Sequence, residues 1–316
     1  MMYVLFVIGI FLLILGASWL VDGASSLAKR LNVRDIVIGL TVVALGTSAP
    51  EMIVNLTAGI RGATDMAVGN ALGSNIFNAM VILGLSAAMY PIKVKRNTVW
   101  KEIPLNVLAA LVIWFVADDV FFGNAEKPVI SRSDGLILLC FFCIFMYYVS
   151  DVAKNERAIG EPIPVMPLYK SIAYIMLGIV GLMVGGNWIV EGGVAMARAF
   201  QVSEAVIGLT IISAGTSLPE LATSTVAAYK KNSDIAIGNV VGSNIINIFL
   251  ILGVNAVVTP LPFNPSMHTE LFINIATAIA LFVFLFTGKG RQIDRWEGIA
   301  LFVVYLIYIS LLIYQQ

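Results

Sequence analysis

The sequence predicts an all-α polytopic membrane protein: ten transmembrane helices arranged as two five-helix repeats of inverted topology. Three observations carry this. Of 316 residues, 59% are hydrophobic and only 12% charged, with a mean hydropathy of +0.93; a soluble domain carries about 25% charged residues. The apolar residues fall in runs of roughly 20, the length that crosses a hydrocarbon core. The two halves match each other at a constant offset of 169 residues, without a gap from residue 19 to 84.

The predicted spans are 2–24, 36–60, 66–88, 103–119, 134–152, 170–193, 205–229, 234–256, 269–287 and 297–315. The first run has the apolar character of a signal peptide, but no basic region precedes it and no small-residue cleavage site follows. Its counterpart, 170–193, reads as a plain span, so the first run is read as span 1. Lys and Arg concentrate in alternate loops. Lys29, Arg30, Arg34, Lys93, Lys95, Arg96, Lys101, Lys154, Arg157, Lys170, Lys230, Lys231, Lys289, Arg291 and Arg295 make 15 of the 19, against Arg61, Lys127, Arg132 and Arg198 in the other set. The positive-inside rule assigns the first set to the cytoplasm, which puts both termini outside a cytoplasmic membrane.

The repeat is sought before any other reading of fold. Trp19 maps on Trp188, Asp22 on Glu191, Asp35 on Glu204, Gly39-Leu40-Thr41 on Gly208-Leu209-Thr210, Arg61 on Lys230 and Leu83-Gly84 on Leu252-Gly253. Residues 1–151 form the first repeat, 152–169 a cytoplasmic linker with Gly160, Pro162, Pro164 and Pro167, and 170–316 the second repeat. Five spans per half, an odd number, insert the second half the opposite way up. Loop charge agrees: residues 29–35 fall on the basic side and their counterparts, 198–204, on the other. Inverted repeats are the architecture of many secondary transporters, with the binding site at the midplane between repeats. The linker leaves no room for a soluble regulatory domain.

Gly46-Thr47-Ser48-Ala49-Pro50-Glu51 in span 2 recurs as Gly215-Thr216-Ser217-Leu218-Pro219-Glu220 in span 7. An ionisable side chain inside a membrane segment is costly and by default marks function. Pro50 and Pro219 lack an N–H, so neither bonds the carbonyl four residues back, at Gly46 and Gly215. In hydrocarbon such a carbonyl needs another partner, and a cation is one. Thr47, Ser48, Thr216 and Ser217 add hydroxyls within the same turn, and Glu51 and Glu220 add charge. Spans 3 and 8 carry Gly69-Asn70-Ala71-Leu72-Gly73-Ser74-Asn75-Ile76-Phe77-Asn78 and Gly238-Asn239-Val240-Val241-Gly242-Ser243-Asn244-Ile245-Ile246-Asn247. Ser74 and Asn78, like Ser243 and Asn247, are four apart and share a helix face, where they offer neutral oxygens. Asn70, Asn75, Asn239 and Asn244 either brace the backbone or cap interrupted helices. Every donor is oxygen, which suits hard cations such as Ca²⁺ or Na⁺ over Zn²⁺ or Cu⁺.

Other features read as structural. The G-x-x-x-G spacing lets helices approach closely and carries no functional weight alone. Cys140 and Cys143 form a lone C-x-x-C in an apolar helix, without the second pair of ligands that a metal reading needs. His268, the single histidine, falls in a predicted external loop and supports no proton relay. Asn55-Leu56-Thr57 matches a glycosylation sequon but lies within a span. Asp22 and Glu191 sit near span ends, where snorkelling or capping explains them. Asp118, Asp119, Glu126 and Asp134 read as a solvated external loop.

The paired G-T-S-x-P-E and G-N-x-x-G-S-N motifs resemble the α-repeats of the calcium/cation antiporter superfamily, and the resemblance covers nearly the whole chain. It is most similar to prokaryotic sodium/calcium exchangers. The resemblance implies a secondary antiporter that exchanges Ca²⁺ for Na⁺ by alternating access, with spans 1 and 6 rocking against the rest. Glu51 and Glu220 would be the carboxylate ligands, and Thr47, Ser48, Thr216, Ser217, Ser74 and Ser243 would supply hydroxyl oxygens. Carbonyls near Ala44 and Ser213 would complete the set, with Asn78 and Asn247 lining it. Some relatives carry Asp at the position of Asn247, where it accompanies potassium co-transport; Asn247 argues against a K⁺ requirement. Ser213 stands where Ala is frequent. The implied partners are the lipid bilayer and the transported cations Ca²⁺ and Na⁺, with no cofactor, no nucleic acid, no obligate protein partner and no enzymatic activity. A proton/Ca²⁺ exchanger of the same fold and a cation channel are the alternatives; an intramembrane enzyme is disfavoured, because no His pair or Ser-His dyad is available.

Overall fold

The computed structural model describes residues 2–118, 128–155, 165–201, 211, 213–288 and 290–314. Asp119, Glu126, Lys127, Arg157, Glu204, Lys289, the linker prolines Pro162 and Pro164, Gly160, and the start of the seventh predicted span with Gly208, Leu209 and Thr210 lie outside the described residues.

The described chain is mostly helical. In the first half, α1 is Met2–Arg30, α2 Asp35–Thr47, α3 Ala49–Ile60, α4 Thr64–Met89, α5 Arg96–Ala117 and α6 Arg132–Asn155. In the second, α7 is Leu168–Ala199, α8 Ser213–Thr216, α9 Leu218–Tyr229, α10 Ser233–Val258, α11 His268–Phe284 and α12 Arg295–Tyr314. Among the described residues seven helices are long and apolar enough to cross a bilayer, or eight when the bent pair α2 and α3 counts as one span. The ninth predicted span corresponds to the shorter α11, and the described part of the seventh to α8 and α9.

Burial does not follow apolarity. The motif-bearing α4 and α10 are 78% and 94% buried, whereas the plain apolar α6 and α12 are 22% and 17% buried. In lipid an apolar side chain gains little by burial, while polar groups must be shielded, so the helices that carry the polar motifs take the centre whatever their mean hydropathy. The glycines of α10 permit this. A Cβ on Gly238 would lie 3.1 Å from the Cα of Gly39, and one on Gly242 only 2.8 Å from the Cβ of Ala44 and 2.9 Å from the Cα of Leu40. Backbone contact between α2 and α10 therefore carries Thr47 and Ser48 up to Ser243.

The repeat-related α1 and α7 pack against each other in antiparallel orientation. A Cβ on Gly16 would meet the carbonyl of Gly178 at 2.9 Å, one on Gly9 the carbonyl of Gly185 at 2.9 Å, and one on Gly178 the amide of Leu20 at 2.7 Å.

Two short antiparallel strand pairs were not expected of an all-α chain. β1 (Ile92–Lys93) pairs with β4 (Gln292–Ile293), and β2 (Val129–Ile130) with β3 (Leu261–Pro262). Each joins one half to the other. At two residues per strand they are too short to show a period in sequence.

The predicted external loop is partly built structure. Asp118 is buried and lies 3.1 Å from Nε2 of His268, which opens α11 rather than lying in a loop. Asp134 accepts hydrogen bonds from the Ser131 amide and hydroxyl at 2.8 and 2.6 Å and so caps α6. Asp22 is ion-paired to Lys230 at 2.7 Å rather than merely snorkelling.

Candidate cation site

The two prolines act as the sequence predicts. α2 stops at Thr47 and α3 starts at Ala49, with a 48° bend between them. Ser48 sits at the break with φ −80°, ψ 8°, and Ser217, at the equivalent break between α8 and α9, has φ −89°, ψ 7°. Pro50 and Pro219 fall in the first positions of the new helices, where a missing N–H costs nothing. Glu51 and Glu220 then occupy the first turn of each, where the helix dipole favours a carboxylate.

Both glutamates are buried, with 1% and 0% exposure. Each is held by the other half of the chain. Ser217 donates to Oε1 of Glu51 at 3.0 Å, and Ser48 donates to Oε1 of Glu220 at 2.9 Å. The offset of 169 converts one bond into the other. The same exchange recurs outward from the carboxylates. Thr47 donates to Oδ1 of Asn239 at 3.0 Å, and Thr216 approaches Oδ1 of Asn70 at 3.5 Å. Asn78 donates to Oδ1 of Asn244 at 3.1 Å, and Asn247 to Oδ1 of Asn75 at 3.0 Å. Asn70 donates to Asn55, and Asn239 to Ser224. Four bonds and their four counterparts define a pseudo-twofold relation between the halves, with the carboxylates at its centre.

The structure links Glu51 to Ser217 and Glu220 to Ser48 and Ser243, sets Thr47 and Thr216 on Asn239 and Asn70, and joins Asn78 and Asn247 to Asn244 and Asn75 rather than to the carboxylates. Ser243 lies 2.9 Å from Ser48 and 3.5 Å from Oε1 of Glu220. Ser74 is buried one helical turn from Asn78 on α4. The carbonyl of Ala44 is already an acceptor, bonded by the Ser48 amide at 2.9 Å and approached by the Thr47 hydroxyl at 3.3 Å, so only its second lone pair is open to a cation. Ser213 begins α8, and its side chain lies outside the description.

The donor set fits a hard cation. Oε2 of Glu51, Oε2 of Glu220, Oδ1 of Asn78, Oδ1 of Asn247 and Oγ of Ser74 are buried oxygens without a hydrogen-bond partner. Leaving such a group unsatisfied costs about 1–3 kcal/mol, more if charged. Concentrating several of them around two carboxylates is unfavourable unless positive charge is bound there. Among the described residues no group of three or more His, Cys, Asp or Glu gathers, so the charge rests on two acids and the remaining oxygens are neutral. That composition matches oxygen-ligated Ca²⁺ or Na⁺.

The family model for the sodium/calcium exchanger protein matches residues 1–150 and 170–314. The chain belongs to the sodium/calcium exchanger family. It is thus a membrane antiporter of cations. The exchanger is 37% identical to the putative antiporter CaxA of Alkalimonas amylolytica over 96% of both chains. It is 30% identical to the sodium/calcium exchanger MaX1 of Methanosarcina acetivorans, covering 99% of this chain and 98% of that one. In three dimensions it matches the sodium-calcium exchanger NCX_Mj, solved after soaking with 2.5 mM Na⁺ and 0.1 mM Ca²⁺, with a TM-score of 0.83 and 33% identity, over 98% of this chain and 97% of the other.

Some features of the exchanger's centre escape motif reading. Asn55 and Ser224 support Asn70 and Asn239; their shared offset of 169 is a signal, although the residue types differ. Asn75 also donates to the backbone carbonyl of Asn244 at 3.1 Å, so these asparagines brace one half against the other. Glu102 in α5 is fully buried outside the repeated motifs, as is Glu297 in α12, and accepts the Tyr148 hydroxyl at 2.7 Å.

Proposed function

We propose that this antiporter exchanges Ca²⁺ for Na⁺ by alternating access, through one central site shared by two inverted five-span repeats, 1–151 and 170–316, joined by the 152–169 linker. The observation that carries the reading is the exchanged pair of bonds, Ser48 to Glu220 and Ser217 to Glu51, beside carboxylate oxygens that accept nothing. Glu51 and Glu220 together balance the charge of one Ca²⁺. Na⁺ ions divide the same carboxylates and the hydroxyls of Thr47, Ser48, Ser74, Thr216, Ser217 and Ser243, with Asn78, Asn247 and the carbonyls of Ala44 and Ser213 completing the shell. Competition for shared oxygens couples the two fluxes. The antiparallel packing of α1 on α7 supports the inversion of the halves, and their glycine-lined interface supports their movement as a unit. The loop charges support a cytoplasmic membrane with both termini outside. The similarity to MaX1, a sodium/calcium exchanger, supports Na⁺ as the driving ion.

The test is ⁴⁵Ca²⁺ uptake into proteoliposomes with Na⁺, K⁺ and H⁺ gradients imposed one at a time. Uptake driven by internal Na⁺ and indifferent to K⁺ is expected. Uptake that follows only the pH gradient makes the chain a proton/Ca²⁺ exchanger, and Ca²⁺ conduction without a trans cation makes it a channel.

A further inference from the structure

Four pairs of bonds in the ligand cluster are exchanged between the halves, although Ser243 bonds Ser48 while its counterpart Ser74 is unpartnered; a larger difference lies at the ends of the helices that carry the cluster. α1 packs along α9, whereas α7 does not lie along α3 in the equivalent way. Just beyond α9, Lys230 reaches across to α1. Its Nζ donates to Oδ1 of Asp22 at 2.7 Å, to Oγ of Ser18 at 2.7 Å and to the Ser18 carbonyl at 3.2 Å. This tie borders a cavity of about 170 Å³ lined by Asp22, Ser25, Ser26, Lys29, Lys230 and Asn232.

The 169-residue offset carries Ser18, Asp22 and Lys230 onto Asn187, Glu191 and Arg61. There the tie is not made. Asn187 donates to Glu191 on its own helix at 2.9 Å, and exposed Arg61 makes no ion pair or side-chain hydrogen bond among the described residues. The chemistry for it is present: a guanidinium beyond α3, and a carboxylate with a neighbouring amide on α7.

We propose that Lys230 with Asp22 and Ser18, and Arg61 with Glu191 and Asn187, are alternating ties that determine the side on which the site opens. The proposal rests on the alternating-access reading. In a chain of two inverted halves, the second conformer is the first with the halves' roles exchanged. A contact made by one half in the first conformer is then made by its equivalent in the second. Here α1 is tied to the end of α9, and under the proposal this tie holds that end closed. When α1 and α7 move together, Lys230 releases Asp22, Asn187 releases Glu191, and Arg61 takes up the Glu191 carboxylate to close the end of α3. Both ties lie at the surface, so each biases the equilibrium without locking it.

Lys230→Met keeps the apolar stem and removes the tie. Exposed ion pairs shift equilibria by about two- to five-fold, and apparent affinity scales with the population of the binding-competent conformer. The half-saturating Ca²⁺ concentration at the Lys230 face of proteoliposomes should therefore fall by about that factor relative to the opposite face. Arg61→Met should move the ratio the other way, and K230M/R61M should restore it. An unchanged ratio in K230M, or movement in the same direction by R61M, overturns the proposal. Should K230M fail to reconstitute, Asp22→Asn reads the same ratio. A second measurement needs no transport. In protein carrying C140A and C143A, R61C/E191C is treated with a short bifunctional thiol reagent, with and without K230M. Cross-linking that rises about two- to five-fold with K230M supports the exchange of ties; absent or unaltered cross-linking overturns it. If wild-type protein shows no exchange but R61C/E191C still responds to K230M, the transport reading fails and the ties stand.

Discussion

Neutralising either central carboxylate should abolish Ca²⁺ transport while weakening Na⁺ binding less. Glu51 and Glu220 are 1% and 0% exposed, so bulk water and salt screen them little. At a separation of about 4 Å and an effective dielectric near 20, a unit charge pair is worth about 4 kcal/mol. For a divalent ion the same carboxylate contributes about 8 kcal/mol. Glu→Gln keeps the side chain's length and one oxygen, which recovers part of this. The difference between the ions, about 4 kcal/mol, corresponds to roughly a thousand-fold loss of preference for Ca²⁺ over Na⁺. E51Q and E220Q should therefore each reduce ⁴⁵Ca²⁺ uptake into Na⁺-loaded vesicles to background. Na⁺ binding, followed as a Na⁺-dependent rise in melting temperature, should persist at higher concentration. The exchanged serine bonds make the two positions equivalent, so the two variants should lie within an order of magnitude of each other. Wild-type uptake by either variant would refute the site, and a dead E220Q beside a fully active E51Q would refute its sharing between the halves.

Gly178→Ala should destabilise the protein by about 1–3 kcal/mol through overpacking, since its Cβ would lie 2.7 Å from a backbone amide on α1; Gly186→Ala, with nothing nearer than 3.9 Å, should not. Thermal unfolding in detergent distinguishes the two. Asn244→Ala removes the acceptor for the Asn78 amide and should cost about 1–3 kcal/mol. It should also weaken protection by Ca²⁺ against heat, because Asn78 loses its orientation. Glu102→Gln keeps an oxygen to accept the Tyr148 hydroxyl, and Ca²⁺ uptake should stay within about two-fold of wild type. A large loss of uptake with unchanged stability would add Glu102 to the transport machinery.

What could be read from the chain was local or repeated. The break at Ser48 follows from Pro50, but spacing within one turn does not bring Thr47 and Ser48 to Glu51, since Thr47 bonds Asn239 and Ser48 bonds Glu220. The offset of 169 tells which residues are equivalent. It does not tell which residues touch. Ser48 meets Glu220 rather than neighbouring Glu51, across 172 residues, because close packing of α2 on α10 presents it to the other half. The tie between Lys230 and Asp22 spans 208 residues, and the contact of His268 with Asp118 spans 150. Charges judged one at a time, by distance from a span end, look solvated; only the fold supplies the partner. The carbonyl of Ala44 marks a related limit. Resemblance makes it a ligand atom, but the ordinary i→i−4 bond from the Ser48 amide already uses it as an acceptor.

The contrast between a nearly symmetric centre and asymmetric ends has a physical rationale. A ligand shifts a conformational equilibrium only by its difference in affinity between the two conformers. If bound Ca²⁺ strongly preferred one conformer, the ion would be trapped on that side and exchange would stop. A shell built from exchanged pairs avoids this. Ser48 with Glu220 and Ser217 with Glu51 become each other when the halves trade roles, as do Asn78 with Asn244 and Asn247 with Asn75. Under the proposed function a cation would meet these exchanged donors whichever side is open, with Ser74 and Ser243 as the pair that differs, and its binding need not strongly favour either side. Having Asn at both 78 and 247 preserves this equivalence, which an acid at one of them would break. A resting preference for one side must then arise away from the ions. Beyond the Ser243 and Ser74 pair, a departure from equivalence lies at the helix ends, where Lys230 is bonded and, among the described residues, Arg61 is not. Directionality is thereby separable from selectivity: substitutions at the ends should change which side the exchanger rests on, and substitutions at the centre which ions it carries.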